Sequence, residues 1–322
     1  MGQHLAARLV GLGAKVTILC RGRGRYPVPF WAGQVGWFEL PDGKDEAPII
    51  RAAVAQADVI FDFAGSSGAV ASNREPLLSL EANCRSQLIL LDACEHAARR
   101  PHIVFASSWL VYGATARERI AETHPVAPQS MYAVHKLSIE HYLRIYARRG
   151  KITFSICRIS NPYGFDPNPF FQGFKILNLF VRLALTGEPI CLFGDGRQIR
   201  DFIYVADVVE ALVQCGCSPG ARDELFNISL GESHSLLEAA TMLQELAGPV
   251  VIQFRPWPDE YSVVESGDYV ADISKARNKL GFLPAFDLRA GLTDTLRLYR
   301  QNKLASATRT GPPQEREKGS VT

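Results

Sequence analysis

Apolar residues along the chain alternate between short continuous runs and longer segments in which they recur every three or four positions. The short runs are rich in β-branched residues and predict strands at 15–20, 35–40, 58–64, 102–107, 152–159 and 201–205. The longer segments predict helices at 3–13, 49–57, 76–98, 129–149, 174–185, 206–215, 234–247 and 274–280. Strands that alternate with helices are typical of a doubly wound α/β fold, in which helices cover both faces of a parallel sheet.

The composition indicates a globular protein that handles small molecules. Of its 322 residues, 47% are hydrophobic and 21% are charged, which excludes a disordered or collagen-like chain. The 35 basic and 33 acidic residues nearly cancel, so no basic field favours a nucleic-acid partner. No stretch approaches about 18 uninterrupted apolar residues, so we expect neither a transmembrane helix nor a membrane partner.

The cysteines do not form a metal-site or disulfide pattern. There are seven of them, an odd number, and the only close pair is Cys215 and Cys217. No second pair and no histidine stands at zinc-site spacing. We therefore expect a cytoplasmic protein with reduced cysteines and no metal.

Tyr132 and Lys136 form the strongest chemical signal in the chain. Four residues apart in a predicted helix, they share one of its faces. A phenol has an ordinary pKa of about 10, and a nearby ammonium lowers that pKa towards neutrality. The pair is therefore a candidate proton shuttle for an alcohol and ketone couple. Upstream, Ser108 follows a predicted strand at the sheet edge where ligands bind, although a serine there is also typical of a turn or cap.

Ordered motifs along residues 2–300 strengthen this signal. They are DVIFDFAG at 58–65, Asn83, FASSWLVYG at 105–113, YAVHK at 132–136, RISNPYG at 158–164, DGRQIRDFIYVADV at 195–208 and ADISKARNKLGF at 271–282. With these motifs the chain resembles the extended short-chain dehydrogenase/reductase superfamily. Within it, the chain is similar to the NAD-dependent nucleotide-sugar epimerase/dehydratase family, which includes UDP-glucose 4-epimerases.

The resemblance implies a role for each matching residue. Tyr132 would be the catalytic base and acid, Lys136 would hold the nicotinamide ribose and tune Tyr132, and Ser108 would orient a sugar hydroxyl. The implied NAD-binding residues are Gly2, Arg21, Glu39, Leu40, Phe63, Ala64, Gly65, Asn83, Ser107 and Lys136. Asn161 and Arg200 would bind the diphosphate of a nucleotide-diphosphate sugar. The alternative for Arg200 is an ion pair with Asp201 or Asp207.

The resemblance also implies how the chain is organised. Residues 1–165 and 200–230 would form a dinucleotide-binding Rossmann domain. Residues 166–199 and 231–302 would form a smaller, mainly helical domain for the nucleotide sugar. The segment 303–322 has no apolar period, and we expect it to be a disordered tail. A homodimer through the helices at 76–98 and 129–149 is expected from the same resemblance.

Two departures from the family pattern concern the cofactor. Gly2 matches the last glycine of the family's cofactor loop, but the first strand and the first two glycines of the pattern are absent. We therefore expect the protein to start upstream of Met1. The alternative is a truncated, non-catalytic protein. The family's second strand ends in an acidic residue that binds the adenosine ribose. Here Cys20 and Arg21 stand at that place, so NADP stays open beside NAD, with Arg23 and Arg25 as further candidates for a 2′-phosphate.

The third departure concerns the reaction. Family dehydratases have an Asp-Glu pair after the catalytic hydroxyl residue, and the related decarboxylases keep a glutamate there. This chain has Trp109 and Leu110, which cannot transfer protons. The sequence therefore favours 4-epimerisation, with an NADPH-dependent 4-keto-6-deoxysugar reductase as the alternative. The identity of the sugar stays open, since Glu265 and its neighbours differ from the arginine-containing segment of known 4-epimerases. Phe170 and Phe171 could cover either the sugar or the nucleotide base.

Overall fold

The computed structural model describes residues 1–21, 31–41, 45–115, 118–166 and 176–307, with side chains as far as residue 302. Arg23, Arg25, Phe170 and Phe171 lie outside the described residues.

The strands follow one another along the chain with helices between them. They are β1 (Thr17–Arg21), β2 (Gly36–Leu40), β3 (Val59–Asp62), β4 (His102–Ser108), β5 (Arg119–Ile120), β6 (Thr153–Ile159), β7 (Asn161–Tyr163), β8 (Ile190–Phe193), β9 (Ile199–Arg200), β10 (Phe202–Tyr204), β11 (Glu224–Ile228), β12 (His234–Ser235), β13 (Ile252–Arg255) and β14 (Val270–Ala271). The helices are α1 (Gly2–Gly11), α2 (Ala47–Val54), α3 (Ala69–Arg74), α4 (Pro76–Leu80), α5 (Ser86–Glu95), α6 (Met131–Arg148), α7 (Ile176–Thr186), α8 (Val205–Cys217), α9 (Leu236–Ala247), α10 (Asp259–Ser262), α11 (Ser274–Leu280) and α12 (Leu288–Ala307).

A parallel sheet with the strand order β3-β4-β6-β11 lies at the centre of the protein. Every residue of β4 and β6 is buried, because helices cover both faces of the sheet. Residues such as Ile103 and Phe105 pack on one face and Val104 on the other. Fully burying one such side chain stabilises the fold by about 1.5–3 kcal/mol. The predicted doubly wound parallel-sheet fold is confirmed.

The strands β1 and β2 pair in parallel as a separate sheet. Within the described ranges, β1 has no backbone ladder to β3. Both sheets nevertheless pack on one layer, because Leu19 of β1 and Ile60 of β3 contact the same apolar cluster around Ile50 and Leu91.

A second core lies beside the central sheet. It gathers buried side chains of α7, α9 and α12, among them Phe180, Leu243 and Leu292. This core supports the proposed division into two domains, although the division stays a prediction. The sequence reading missed α12, whose backbone is helical to Ala307 and so enters the segment predicted to be disordered. Leu288, Leu292 and Leu296 all face this core, and their packing holds the helix in place.

The single helix predicted at 76–98 is interrupted. It comprises α4, a π-helical segment at Glu81–Arg85, and α5. Such π-helical turns often occur at functional sites, and this one carries Asn83. Among the described residues, we find no helix with the length and apolarity needed to cross a bilayer.

Candidate active site

The N-terminus of α6 is fixed by hydroxyl and amide side chains. Ser130 accepts a hydrogen bond from the Ala133 amide at 3.3 Å. Ser72 of α3 accepts one from the Tyr132 amide at 3.0 Å, and Asn73 accepts one from the Met131 amide at 2.9 Å. The first amides of a helix have no partner within the helix, so these contacts fix the first turn of α6. They determine where the Tyr132 side chain leaves the helix.

Tyr132 and Ser108 are brought together at the carboxyl end of β4. Burial of the phenol raises the pKa of Tyr132 to about 12, while its hydrogen bond with Ser108 acts in the opposite direction. The expectation that Lys136 lowers this pKa below its ordinary value is therefore wrong. The Lys136 Nζ atom lies 5.8 Å from the centre of the Tyr132 ring and donates a 2.8 Å hydrogen bond to the Ala106 carbonyl.

Lys136 itself is buried beneath the catalytic end of the sheet. Its ammonium lies 4.6 Å from the centre of the Phe105 ring. Burial lowers the pKa of Lys136, and the charges of Asp62, Cys84 and Glu140 oppose that effect. The two carboxyl groups near Lys136 were missed by sequence reasoning.

Glu140 holds a buried network behind the site. Its carboxylate accepts a 2.6 Å hydrogen bond from the Ser107 hydroxyl and pairs with Arg158 through hydrogen bonds of 3.0 and 2.7 Å. The Ser107 hydroxyl group thus donates its hydrogen bond to another side chain of the protein. Spacing was the available signal for Glu140, because Tyr132, Lys136 and Glu140 follow one another at four-residue intervals along one helix face.

The backbone at Phe63–Gly65 forms the predicted cofactor edge. The Asp62 carboxylate accepts hydrogen bonds from the Ala64 amide and from Gln87, both at 3.0 Å. Burial raises the pKa of Asp62, and Lys136 opposes that rise. Gly65 has a φ of 128°, and a β-carbon there would collide with the side-chain oxygen of Asn83.

Asn83 supports the fit of a dinucleotide at this edge. Its amide nitrogen donates to the Ser66 hydroxyl and to the Ser79 carbonyl, at 3.1 and 3.0 Å. Its oxygen is buried and has no hydrogen-bond partner among the described residues. A glycine backbone next to a buried acceptor without a partner, at the carboxyl end of β3, is suited to a polar ring and its ribose. Phe63, Ala64, Gly65, Asn83, Tyr132 and Lys136 would hold the nicotinamide half.

The predicted adenosine side is built by β1, β2 and the start of α2. Glu39 and Leu40 end β2 beside Cys20 and Arg21 of β1. The Arg21 guanidinium pairs with Glu46, the residue before α2. Glu46 is 7% exposed, and its second carboxylate oxygen is buried without a partner in the described ranges. A carboxylate therefore lies at the end of β1, as in the family pattern, but it belongs to Glu46 at the start of α2.

Gly2 begins α1, as the resemblance implies, and no atom lies within 4 Å of where a β-carbon would be.

Of the two predicted substrate residues, Asn161 lies on β7, which pairs with β10, and Arg200 lies on β9, shortly before β10 in the chain. The Asn161 side chain donates a 3.1 Å hydrogen bond to the Asp201 carbonyl, which follows Arg200. Arg200 pairs with Glu265 at 2.5 Å. The alternative of an ion pair for Arg200 is thus observed, but with neither Asp201 nor Asp207. Those carboxylates accept hydrogen bonds from backbone amides instead.

Trp109 and Leu110 follow Ser108, at the position of the acidic residues of the related dehydratases and decarboxylases. Trp109 is buried and stacks on Tyr269, with ring centres 4.5 Å apart. Leu110 is half-buried against the same cluster. Neither side chain offers a group that can exchange a proton at neutral pH.

A doubly wound sheet with a serine, tyrosine and lysine at the carboxyl ends of its strands defines a dinucleotide-binding protein of the short-chain dehydrogenase/reductase class. Residues 1–229 match the model of the NAD dependent epimerase/dehydratase family. The chain belongs to this family, as the sequence resemblance predicted. The family's dependence on NAD confirms the predicted cofactor.

Named relatives span several reactions. UDP-glucuronic acid decarboxylase 4 of Arabidopsis thaliana is 27% identical over 312 residues, which cover 94% of this chain and 66% of that protein. The chain thus spans slightly less than two thirds of this plant relative. UDP-glucose 4-epimerase of Mycolicibacterium smegmatis is 27% identical over 292 residues, covering 83% of this chain and 91% of that protein.

Among solved structures, UDP-glucose 4-epimerase of Thermus thermophilus in complex with NAD superimposes with a TM-score of 0.80. It is 26% identical, and the match covers 93% of this chain and 95% of that one.

Proposed function

We propose that this protein is a nucleotide-sugar 4-epimerase that works by transient oxidation at C4 with NAD. The observation that carries the proposal is the meeting of Ser108, Tyr132 and Lys136 at one sheet edge, next to Trp109 and Leu110. This set can move a proton to and from one hydroxyl group, and its immediate neighbours cannot assist elimination or decarboxylation.

In this mechanism Ser108 holds the C4 hydroxyl and Tyr132 removes its proton. Tyr132 later returns that proton when the 4-keto sugar has turned its other face to the cofactor. NAD, when bound, supplies the hydride acceptor and then the hydride donor, so the cycle needs no net reductant. The phenol of Tyr132 is protonated at neutral pH, because burial raises its pKa to about 12. Positive charge must therefore favour its ionised form, and the Lys136 ammonium supplies such charge from below.

The relatives' names support a nucleoside-diphosphate sugar as the substrate. Asn161 and Arg200 are the residues that we propose for its diphosphate, and Gly2, Arg21, Glu39, Leu40 and Ser107 remain proposals for the cofactor side. A homodimer in the cytoplasm is likewise proposed.

The proposal is tested by incubating the purified protein with a panel of UDP- and dTDP-linked hexoses and recording proton NMR spectra. We expect the C4 epimer to form without accumulation of reduced cofactor. Tyr132→Phe should slow this conversion by about a thousandfold, the scale of lost acid–base catalysis.

Tyr146→Phe on the same helix is the matched control and should retain turnover. Unchanged turnover in Tyr132→Phe would contradict the mechanism. Stoichiometric NADPH consumption with a 4-keto-6-deoxysugar, and no epimerisation, would instead establish the reductase.

A further inference from the structure

Arg200 is held by acceptors that all come from the protein. Its Nη1 donates to the carbonyls of Ile199 and Gly267, at 2.9 and 2.7 Å. Its Nη2 donates to Glu265 at 2.5 Å. The arginine side chain is 11% exposed and the glutamate side chain 24% exposed, so solvent screens this ion pair little. The positive charge of Arg200 is compensated by a neighbouring carboxylate.

Glu265 is fixed in the position from which it reaches Arg200. The same carboxylate oxygen that pairs with Arg200 accepts a 3.0 Å hydrogen bond from the Gly267 amide. Asp268 then accepts a 2.8 Å hydrogen bond from the Ile199 amide, which ties the turn to the strand that carries Arg200. Glu265 is thus presented to Arg200 by a turn that is itself attached to β9.

The ion pair lies beside the candidate catalytic residues. The Arg200 guanidinium is 5.8 Å from the centre of the Trp109 ring, and Trp109 directly follows Ser108. The Asn161 side chain donates to the carbonyl of Asp201, the residue after Arg200. A substrate bound at Ser108 and Tyr132 can therefore extend its charged portion to Arg200.

We propose that Glu265 is a specificity-determining residue that occupies Arg200 as an internal anion and competes with the substrate's diphosphate for it. The inference rests on the proposed function, because it takes Arg200 to be the diphosphate ligand. A phosphate group and a carboxylate are alternative partners for the same guanidinium N–H groups. A diphosphate must either displace Glu265 or bind next to its negative charge, and both lower the affinity for highly charged ligands.

In this proposal the charge of Glu265, and not the shape of the site, sets the affinity for nucleoside diphosphates. Removing the charge of Glu265 leaves Arg200 with an uncompensated positive charge, because an amide oxygen accepts a hydrogen bond but carries no net charge. We therefore expect Glu265→Gln to bind nucleoside diphosphates more tightly, and to bind the uncharged nucleoside as before. The gain should shrink at high ionic strength, because it is electrostatic.

The test is titration calorimetry with UDP and with uridine on the full chain. Glu265→Gln should tighten UDP binding by about tenfold, the scale of one charge-assisted hydrogen bond gained. Glu260→Gln is the matched control, since it removes an exposed partner of Arg74 from the same segment. In an Arg200→Gln background the Glu265→Gln gain should disappear. Circular dichroism and thermal melts confirm that each variant is folded.

Equal or weaker UDP binding by folded Glu265→Gln would overturn the inference, because Glu265 would then only hold the turn in place. An equal gain for uridine, or a gain that persists without Arg200, would also overturn it. If UDP binding tightens as expected but no nucleotide sugar is turned over, the inference stands and the epimerase proposal fails. If nucleotide sugars are turned over but UDP binding does not tighten in Glu265→Gln, the epimerase proposal stands and the inference fails.

Discussion

Charges that surround single residues decide much of the chemistry that this site can perform. Lys136 is buried, and the negative charges of Asp62 and Glu140 keep its pKa from falling as far as burial alone would drive it. Tyr132 has no comparable support, so burial raises its pKa to about 12. The phenol is therefore protonated at neutral pH, and its ionisation requires positive charge close to the ring, for which Lys136 is the candidate.

A second residue-scale effect concerns the choice between NAD and NADP. Arg21 is the reason that the sequence allows NADP as well as NAD, but its charge is neutralised by an ion pair with Glu46. The second carboxylate oxygen of Glu46 is buried and has no hydrogen-bond partner in the described ranges. A 2′-phosphate would meet this carboxylate, whereas ribose hydroxyls could donate to it. We predict that Glu46→Gln shifts the ratio of NADP to NAD affinity towards NADP by about tenfold.

Calorimetric titration of both dinucleotides measures that ratio. Asp45→Asn is the control, since the Asp45 carboxylate accepts a hydrogen bond from the Ala47 amide at the start of the same helix. A ratio that is the same in Glu46→Gln and the wild type would show that Glu46 plays no part in the selection.

At the scale of elements, β4 and α6 act as a pair. Three successive residues of β4, Ala106, Ser107 and Ser108, bond with Lys136, Glu140 and Tyr132 of α6. The helix is thereby fixed at both its start and its middle, which pre-organises the hydroxyl pair. The last residue of the strand is the proposed catalytic Ser108, and the two preceding residues support α6.

The two sheets should differ in local stability. In β4, strand partners lie on both sides and every residue is buried, whereas β1 has one ladder and is only partly buried. Isolated two-stranded sheets are marginal in water. We predict that amides of Ile18 and Leu19 exchange with solvent at least about a hundredfold faster than those of Val104 and Ala106.

Hydrogen exchange followed by mass spectrometry measures this difference. The edge strand β11, which belongs to the larger sheet, provides an internal reference with intermediate protection. Equal protection of β1 and β4 would contradict the expectation and show that the two sheets open as one unit.

At the scale of the whole molecule, apolar side chains stay exposed on neighbouring helices. They are Leu77, Leu78 and Leu80 of α4, Leu88 of α5, and Met131, Val134 and Ile145 of α6. Met131, Val134 and Ile145 fall on one face of α6 at helical spacing. Exposed apolar surface of this kind marks an interface, and it lies on the helices for which a homodimer is proposed.

We predict that Val134→Glu converts a dimer into a monomer in light scattering coupled to gel filtration, because a charge would be buried at the centre of the contact. Val251→Glu introduces the same charge at a side chain that is 61% exposed elsewhere and should leave the dimer intact. A wild-type protein that is monomeric at micromolar concentration would refute the interface.

Local patterns predicted the parts of the fold that depend on neighbours in sequence. The buried strands at 102–107 and 152–159 and the helix with Tyr132 and Lys136 were found within a few residues of their observed bounds. The π-helical segment inside the helix at 76–98 was missed, because a single π-helical turn has no signature in the spacing of apolar residues. The helix at 288–307 was missed, because its polar surface hid the leucines that pack in the second core.

The sequence by itself determined the alternation of strands and helices up to residue 159, the family, and the Tyr132 and Lys136 pair, since each depends on residue type and short spacing. Only the tertiary structure decided which charges meet. Glu46 reaches Arg21, Arg158 reaches Glu140 and Glu265 reaches Arg200. The partners in each pair come from different elements, and a Coulomb interaction depends on distance in space, about which periodicity along the chain carries no information.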